Sequence, residues 1–263
     1  MNIIFIGAGN LATHLSQAFQ RANHRVLQVY SRTEESASSL AALLDCPFTT
    51  RIEDILPDAE VYVFSVRDAV LQDLAERLYA HLRQVATAGN PRRGAGALFV
   101  HTAGSMPLDV LPMLRRGVFY PMQTFSKSRH VDFCQIPIFL ESQTDMRLME
   151  LLARALSQQV YHLDGERRRY LHLSAVFACN FVNHMYDLSA RILEPHDIPF
   201  HVMLPLIDET ASKVHSLPPH EAQTGPAVRY DKNVMDHHLD LLVDAPDMQQ
   251  IYKLLSRSIH DKL

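Results

Sequence analysis

No stretch of this sequence approaches the roughly 20 apolar residues needed to cross a bilayer. The densest, 175–182, is short and is interrupted by Asn180. Membrane spanning is therefore excluded as an expectation. Cysteine is scarce: Cys46, Cys134 and Cys179 are odd in number and scattered, form no CxxC pair and follow no secretory leader, which favours a reducing cytoplasm. An excess of positive charge is missing too. The formal net charge is −4 and the pI near 6.4, so a broadly basic nucleic-acid footprint is not expected.

Glycine is sparse after the first half of the chain. Seven of the nine glycines fall between Gly7 and Gly117, and only Gly165 and Gly225 follow. Before that divide, short β-rich runs at 2–6, 26–30, 61–66, 97–101, 118–120, 136–141 and 160–163 alternate with helical patterns, as βαβ units and a parallel sheet require. Leu11, Leu15, Ala18, Phe19 and Ala22 recur at helical spacing and place one apolar stripe against that sheet. The Gly-, Pro- and Arg-rich segment 84–96 reads as an exposed loop. From Gly165 onward the pattern is helical, with one long helix over 166–193, further helices near 200–214, 231–243 and 247–260, and a loop at 216–230. The expected fold is α/β: a Rossmann-type doubly wound parallel sheet over 1–164, then an all-helical domain over 165–263 for dimerisation and substrate. The long helix is apolar around much of its circumference, and about 100 residues offer few helices to cover it. A homodimer built through the C-terminal domain follows as an expectation.

Gly7-Ala8-Gly9-Asn10-Leu11-Ala12 matches GxGxxA and stands between an expected strand and an expected helix. The first glycine permits the tight turn, the second lets a pyrophosphate approach the backbone, and Ala12 lets the helix come close to the sheet. Free amides and the helix dipole then favour an anion. After the second strand comes Ser31-Arg32-Thr33. An NAD-selective site usually carries a carboxylate there, whereas a guanidinium between two hydroxyls suits a 2′-phosphate, so NADP(H) is the expected cofactor. In such a sheet the ligand lies beyond the carboxyl ends of the strands, which adds Ser65, Val66, His101 and Thr102 to the cofactor-binding set.

The GxGxxA turn, the SRT at 31–33, VYVFSV followed by Arg67-Asp68, and LFVHTAGS resemble the dinucleotide domain of pyrroline-5-carboxylate reductases, deazaflavin-dependent NADP reductases and 6-phosphogluconate-type dehydrogenases. HTAGSMPLDVL, GVFYPMQTFSK, HLSAVFACNFVNHMY and EAQTGPAVRYD are similar to the two-domain family that pairs a Rossmann-like N-terminus with the helical domain of unknown function 2520. This resemblance spans nearly the whole chain. It implies fold and cofactor, and leaves the substrate unnamed.

Hydride transfer needs a carbonyl or imine carbon held close and a group that exchanges a proton with its heteroatom. Ser105 and His101 are candidates by position. Ser105 reads equally as a helix N-cap, and His101 as a buried histidine satisfied by backbone. On the long helix, His172, Asn180 and His184 can share a broad face at 3.6 residues per turn, either toward a substrate or toward a neighbouring helix. Related hydroxyacid dehydrogenases use a lysine and an asparagine one turn apart on the corresponding helix. This sequence has no lysine there, which leaves His172 as the proton carrier beside Asn180. Tyr120, Gln123 and Thr124 follow their own strand and could line the same cleft between the domains. The loop Gln223-Thr224-Gly225-Pro226 with Arg229 resembles the substrate loop of pyrroline-5-carboxylate reductases, which extends the substrate set to Thr224 and Arg229. A metal site is not expected: the histidines show neither HxxxH spacing nor CxxC neighbours. The function expected is oxidoreduction of a small carbonyl, hydroxy or imine compound with NADP(H), with a non-catalytic NADP-binding sensor or scaffold as the alternative.

Overall fold

The first strand, β1 (Asn2–Ile6), has four of its five residues, Ile3 to Ile6, fully buried. A continuous apolar run, in place of an alternating one, is what a parallel strand covered on both faces requires. β4 (Val61–Phe64) and β5 (Leu98–His101) are buried throughout for the same reason. In the computed structural model, which describes residues 1–85 and 94–261, these strands join β2 (Arg25–Tyr30), β3 (Phe48–Thr49), β6 (Arg116–Pro121), β7 (Ile138–Glu141) and β8 (Val160–His162) in one eight-stranded sheet ordered β3-β2-β1-β4-β5-β6-β7-β8. Ile6 is level with Tyr30 on one side and Phe64 on the other. The strand order reverses between β1 and β4, so a crevice opens at their carboxyl ends.

Helices cover both faces. α1 (Asn10–Arg21), α2 (Glu34–Leu44) and α4 (Met146–Arg154) pack one core with Leu15, Phe19, Leu40 and Leu152, while α3 (Asp68–Val85) packs the other with Leu71, Leu74, Leu78 and Leu82. The expected stripe on α1 is the buried one: Leu15, Ala18 and Phe19 face the sheet, with Leu11 and Ala22 half-buried at its ends. Phe19 meets the rings of Phe5 and Phe119 at centroid distances of 6.3 and 5.7 Å. Full burial of one such side chain contributes about 1.5–3 kcal/mol.

Two features differ from the expectation. β6 and β7 are antiparallel, because the connection between them contains only a 3-10 turn at Phe133–Gln135 and no crossover helix to bring the chain back to the starting edge. β7 and β8, joined through α4, are again parallel. β3, an edge strand two residues long, carries too short a pattern to be seen in the sequence. The loop expected at 84–96 falls largely on 86–93, outside the described residues; Val85 closes α3, and Gly94–Gly96 forms a 3-10 turn.

The long helix is present as α5 (Gly165–Ala175) and α6 (Val182–Leu193), joined by a π-helical stretch, Val176–Phe181. Asp164 is the N-cap of α5, its carboxylate accepting from the Arg167 N–H at 2.9 Å. The chain forms two compact units that divide further on, Met1–Cys179 and Asn180–Leu263. The first contains α5, which the buried Arg168 ties to Glu141 of β7. The second contains α6, α7 (Leu204–Lys213), α8 (Pro226–Arg229), α9 (Lys232–Leu241) and α10 (Pro246–His260). Here Tyr230 stacks on His260 at 4.4 Å, and His238 Nδ1 pairs with the Tyr252 hydroxyl at 2.9 Å. Ala227 and Ser256 are the buried residues among those described in this unit, while Leu206, Leu241 and Leu254 are each more than half exposed. Among the described residues no helix is long and apolar enough to cross a membrane.

Candidate functional site

The turn after β1 is built around two glycines with different reasons to be there. Gly7 has φ +115°, and a Cβ on it would lie 2.2 Å from the Ser65 carbonyl oxygen, so β1 and β4 can approach only if this residue is glycine. Its N–H donates to the Tyr30 carbonyl at 2.7 Å. Gly9, the N-cap of α1, has ordinary φ −78°, and a Cβ on it would meet nothing within 4 Å. Protein packing therefore does not require the second glycine. The space it leaves adjoins the first turn of α1, whose amides have no intrahelical acceptor and sit at the positive end of the helix. That combination fits the phosphates of a dinucleotide.

At the end of β2, Ser31, Arg32, Thr33 and Ser36 line the same cavity, and α3 adds Arg77. Arg32 pairs with no carboxylate among the described residues. Arg77 lies 3.6 Å from Asp73 in an exposed i,i+4 pair, a contact of little strength that a phosphate could replace. Both guanidinium groups are felt by Tyr30: burial raises its phenol above the ordinary value, and Arg77 and then Arg32 pull it back. Arg77 was not among the expected residues. It sits 45 residues beyond Arg32, and only the packing of α3 beside the β2 tip brings the two to one wall; the apolar spacing of Leu71, Leu74, Leu78 and Leu82 shows it on the outward face but gives no neighbour.

Ser65, Val66 and Arg67 follow β4 and line the cavity, as do Thr102, Ala103, Gly104 and Ser105 after β5. The Thr102 amide and hydroxyl both donate to the Phe64 carbonyl, at 3.1 and 3.3 Å. His101 sits apart from these residues. It is fully buried and does not line the cavity; Nε2 faces the Pro107 carbonyl at 3.2 Å, and Nδ1 accepts from the Ala103 N–H at 3.3 Å. Burial, with the nearby Arg168 charge, depresses its pKa to about 3, so the ring is neutral and its task is to shape the loop. Ser105 caps no helix: the 3-10 turn that follows has Pro107 at its N-cap, and the Ser105 hydroxyl donates to the Asp68 carboxylate.

The far end of the cavity is closed by Tyr120 on β6 and His172 on α5. The Tyr120 hydroxyl lies 3.1 Å from His172 Nδ1, and their rings meet edge-on at 6.0 Å. Gly104 makes room for them, since a Cβ there would lie 2.7 Å from Nδ1 and 2.8 Å from Tyr120 Cζ. Behind this pair the Arg168 side chain, 1% exposed, forms an ion pair with Glu141 and donates to the Met106 carbonyl.

The cavity has a volume of about 720 Å³, within the range of small-molecule and cofactor sites. Gly7, Ala8, Gly9, Asn10, Leu11, Ser31, Arg32, Thr33, Ser65, Val66, Thr102, Ser105, Tyr120 and His172 all line it, and every lining residue belongs to the first unit. Gln123 does not: it is exposed, and its side-chain carbonyl accepts from the Thr124 N–H at 2.8 Å. Asn180, His184, Thr224 and Arg229 are exposed residues of the second unit and are not among the lining side chains. The shared face expected for His172, Asn180 and His184 assumed 3.6 residues per turn throughout. The π-helical stretch between them breaks that phase.

Residues 2–86 match the family model described as NADP oxidoreductase coenzyme F420-dependent, and residues 136–259 match the domain of unknown function 2520. A solved structure from Bacteroides fragilis, described as an NADP oxidoreductase, is 50% identical; the match covers 99% of this chain and 98% of that one, with a TM-score of 0.91. The chain belongs to the family that joins these two domains. More distant members of the same fold include an imine reductase from Myxococcus stipitatus in complex with NADP+, at 14% identity over 99% of this chain and 93% of that one, with a TM-score of 0.68. A 1-pyrroline-5-carboxylate reductase from Streptococcus pyogenes matches at 12% identity over 99% and 98%, with a TM-score of 0.61. No curated protein sequence matches the chain. The likeness to pyrroline-5-carboxylate reductase read from the motifs is thus matched at the level of the fold.

Proposed function

We propose that this two-domain protein is an NADP(H)-dependent oxidoreductase that moves hydride to or from a small carbonyl, hydroxy or imine compound. One observation carries the reading: a single cavity runs from the Gly7–Gly9 turn and the Arg32 and Arg77 cations to a hydrogen-bonded tyrosine and histidine. The first-turn amides of α1 would hold the pyrophosphate, and Arg32 with Arg77, Ser31, Thr33 and Ser36 would hold the 2′-phosphate. The nicotinamide, when bound, supplies the hydride. Tyr120 is the proton donor. As negative charge builds on the substrate's oxygen or nitrogen, Tyr120 would give that atom its proton, and His172, carrying a proton on Nδ1, would return one to the phenolate and be reprotonated from solvent. In the oxidative direction the same two groups remove it.

This assignment gives the proton role to a pair and needs no lysine on the long helix. Ser105, held by Asp68, would orient the substrate's polar end. The family relatives described as NADP oxidoreductase and imine reductase support the class of reaction and the nicotinamide cofactor. The apolar side chains exposed on α7, α9 and α10 support a homodimer built through the second unit, and the scattered cysteines support a cytoplasmic setting. The test is to incubate the protein with NADPH and a panel of keto acids and cyclic imines while following absorbance at the nicotinamide band. Oxidation with at least one class is expected; tight binding without turnover across a broad panel would favour a nucleotide sensor.

A further inference from the structure

Arg168 has no place in the reaction just described, yet it is the largest fully buried side chain among the described residues. One nitrogen of its fork pairs with Glu141 at the end of β7, and another donates to the Met106 carbonyl, in the loop that carries Gly104 and Ser105. Its Nε is buried with no partner among the described residues. A buried ion pair is weak evidence of stability, because desolvation offsets the Coulombic gain, and its usual yield is a fixed geometry. Here the geometry concerns the cavity: Arg168 and His172 are one turn apart on α5, so they share a face. Fixing the first fixes the second.

We propose that Arg168 is a positioning residue for the Tyr120–His172 pair, locking α5 and the loop after β5 so that His172 stays on the Tyr120 hydroxyl, and setting a permanent positive charge beside that phenol. The inference rests on the reading of Tyr120 as proton donor. The charged and titratable groups around Tyr120 are His172 and Arg168 on α5, Glu141 on β7 acting through Arg168, and His101 on β5, which stays neutral; Asp68 reaches the cavity through Ser105. Burial raises the Tyr120 phenol above its ordinary value, and Arg168 acts against that rise. The guanidinium thus favours the phenolate left behind when the proton is given away.

Two readouts test this, one of which needs no turnover. The ionisation of Tyr120 is isolated as the ultraviolet difference between protein with Tyr120 and the Tyr120→Phe variant, titrated in the alkaline range. Arg168→Met should move that ionisation upward by about one pH unit or more and lower kcat about 100-fold, with KM and NADPH affinity nearly unchanged. Arg168→Lys keeps the charge and loses the fork. It should return the ionisation close to the original value while kcat stays about tenfold low. Should Arg168→Met fail to fold, Glu141→Gln removes the charge that offsets Arg168 and should move the ionisation downward. An ionisation unmoved by any of these variants overturns the proposal, and so does an equal loss of kcat in the Lys and Met variants with no change in titration. Full kcat in Tyr120→Phe would defeat the functional reading by itself and leave the titration result standing.

Discussion

The Tyr120 hydroxyl and Nδ1 of His172, 52 residues apart in the chain, lie within 3.1 Å of one another where the cavity ends. A phenol alone holds its proton too tightly to work quickly near neutral pH, and an imidazole beside it supplies the return path. Tyr120→Phe keeps the ring and deletes the proton. It should lower kcat by about 10²–10⁴ while the NADPH dissociation constant from calorimetry stays within about twofold. A variant of normal speed would move the proton role elsewhere.

The proposed preference for NADP(H) rests on two cations, Arg32 at the β2 tip and Arg77 on α3 beside it. Arg32→Asp should weaken NADPH binding far more than NADH binding, because a carboxylate repels the 2′-phosphate and accepts from a ribose hydroxyl. Arg77→Ala should act in the same direction and less strongly. Equal losses for both nucleotides, measured by titration calorimetry, would refute the assignment of this wall to the phosphate.

The two glycines of the first turn should separate stability from binding. Gly7→Ala forces a methyl group onto the Ser65 carbonyl at positive φ, and backbone strain alone costs about 1–3 kcal/mol. A large fall in melting temperature is expected. Gly9→Ala meets no neighbour, so melting should be nearly unchanged, yet the methyl group intrudes where a pyrophosphate would lie. Dinucleotide affinity should fall about tenfold or more, since the ligand backbone approach needs that space. Unchanged affinity would show that nothing docks at this turn.

His101 makes stability depend on pH. Its folded pKa, about 3, is below the unfolded value of 6.5, so the unfolded chain binds the extra proton first. The contribution is complete above pH 6.5 and is lost as the pH falls from there toward 3, at a limiting rate of about 1.4 kcal/mol per pH unit. Chemical denaturation at a series of pH values should show that decline, and His101→Gln, lacking the titrating ring, should flatten it.

Much of the fold could be read directly. A buried parallel strand has an unbroken apolar run, and the glycine turn, the α1 stripe and the β2 tip each carry their meaning within a few neighbouring residues. What escaped was set by partners far apart in the chain. Nothing in PMQTFSK announces that the connection after β6 lacks a helix and must return antiparallel. The π-helical stretch at Val176–Phe181 inserts into a pattern that still looks α-helical. Arg77 and Arg168 are ordinary helix arginines until packing puts one beside Arg32 and the other against Glu141. Tyr120 and His172 were each visible as polar residues near an expected site, but their pairing depends on tertiary structure.

The proposed homodimer has its own check. Light scattering at micromolar concentration should give twice the 29.9 kDa chain mass, and charged substitutions such as Leu206→Glu or Leu254→Glu should lower it. A monomer would mean that the apolar side chains of α7 and α10 serve some other contact.

The reversal between β6 and β7 determines where His172 arrives. Because β8 runs down the sheet, the chain leaves it at the edge remote from the Gly7–Gly9 turn, and α5, starting with Gly165 beside Glu141, climbs back toward Tyr120. Had the sheet stayed parallel to its last strand, the same helix would set out from the nucleotide edge and carry His172 away. Adding or removing one residue within this ascent would swing the imidazole by about 100°, so the length of the climb is as much part of the proposed chemistry as the ring it delivers.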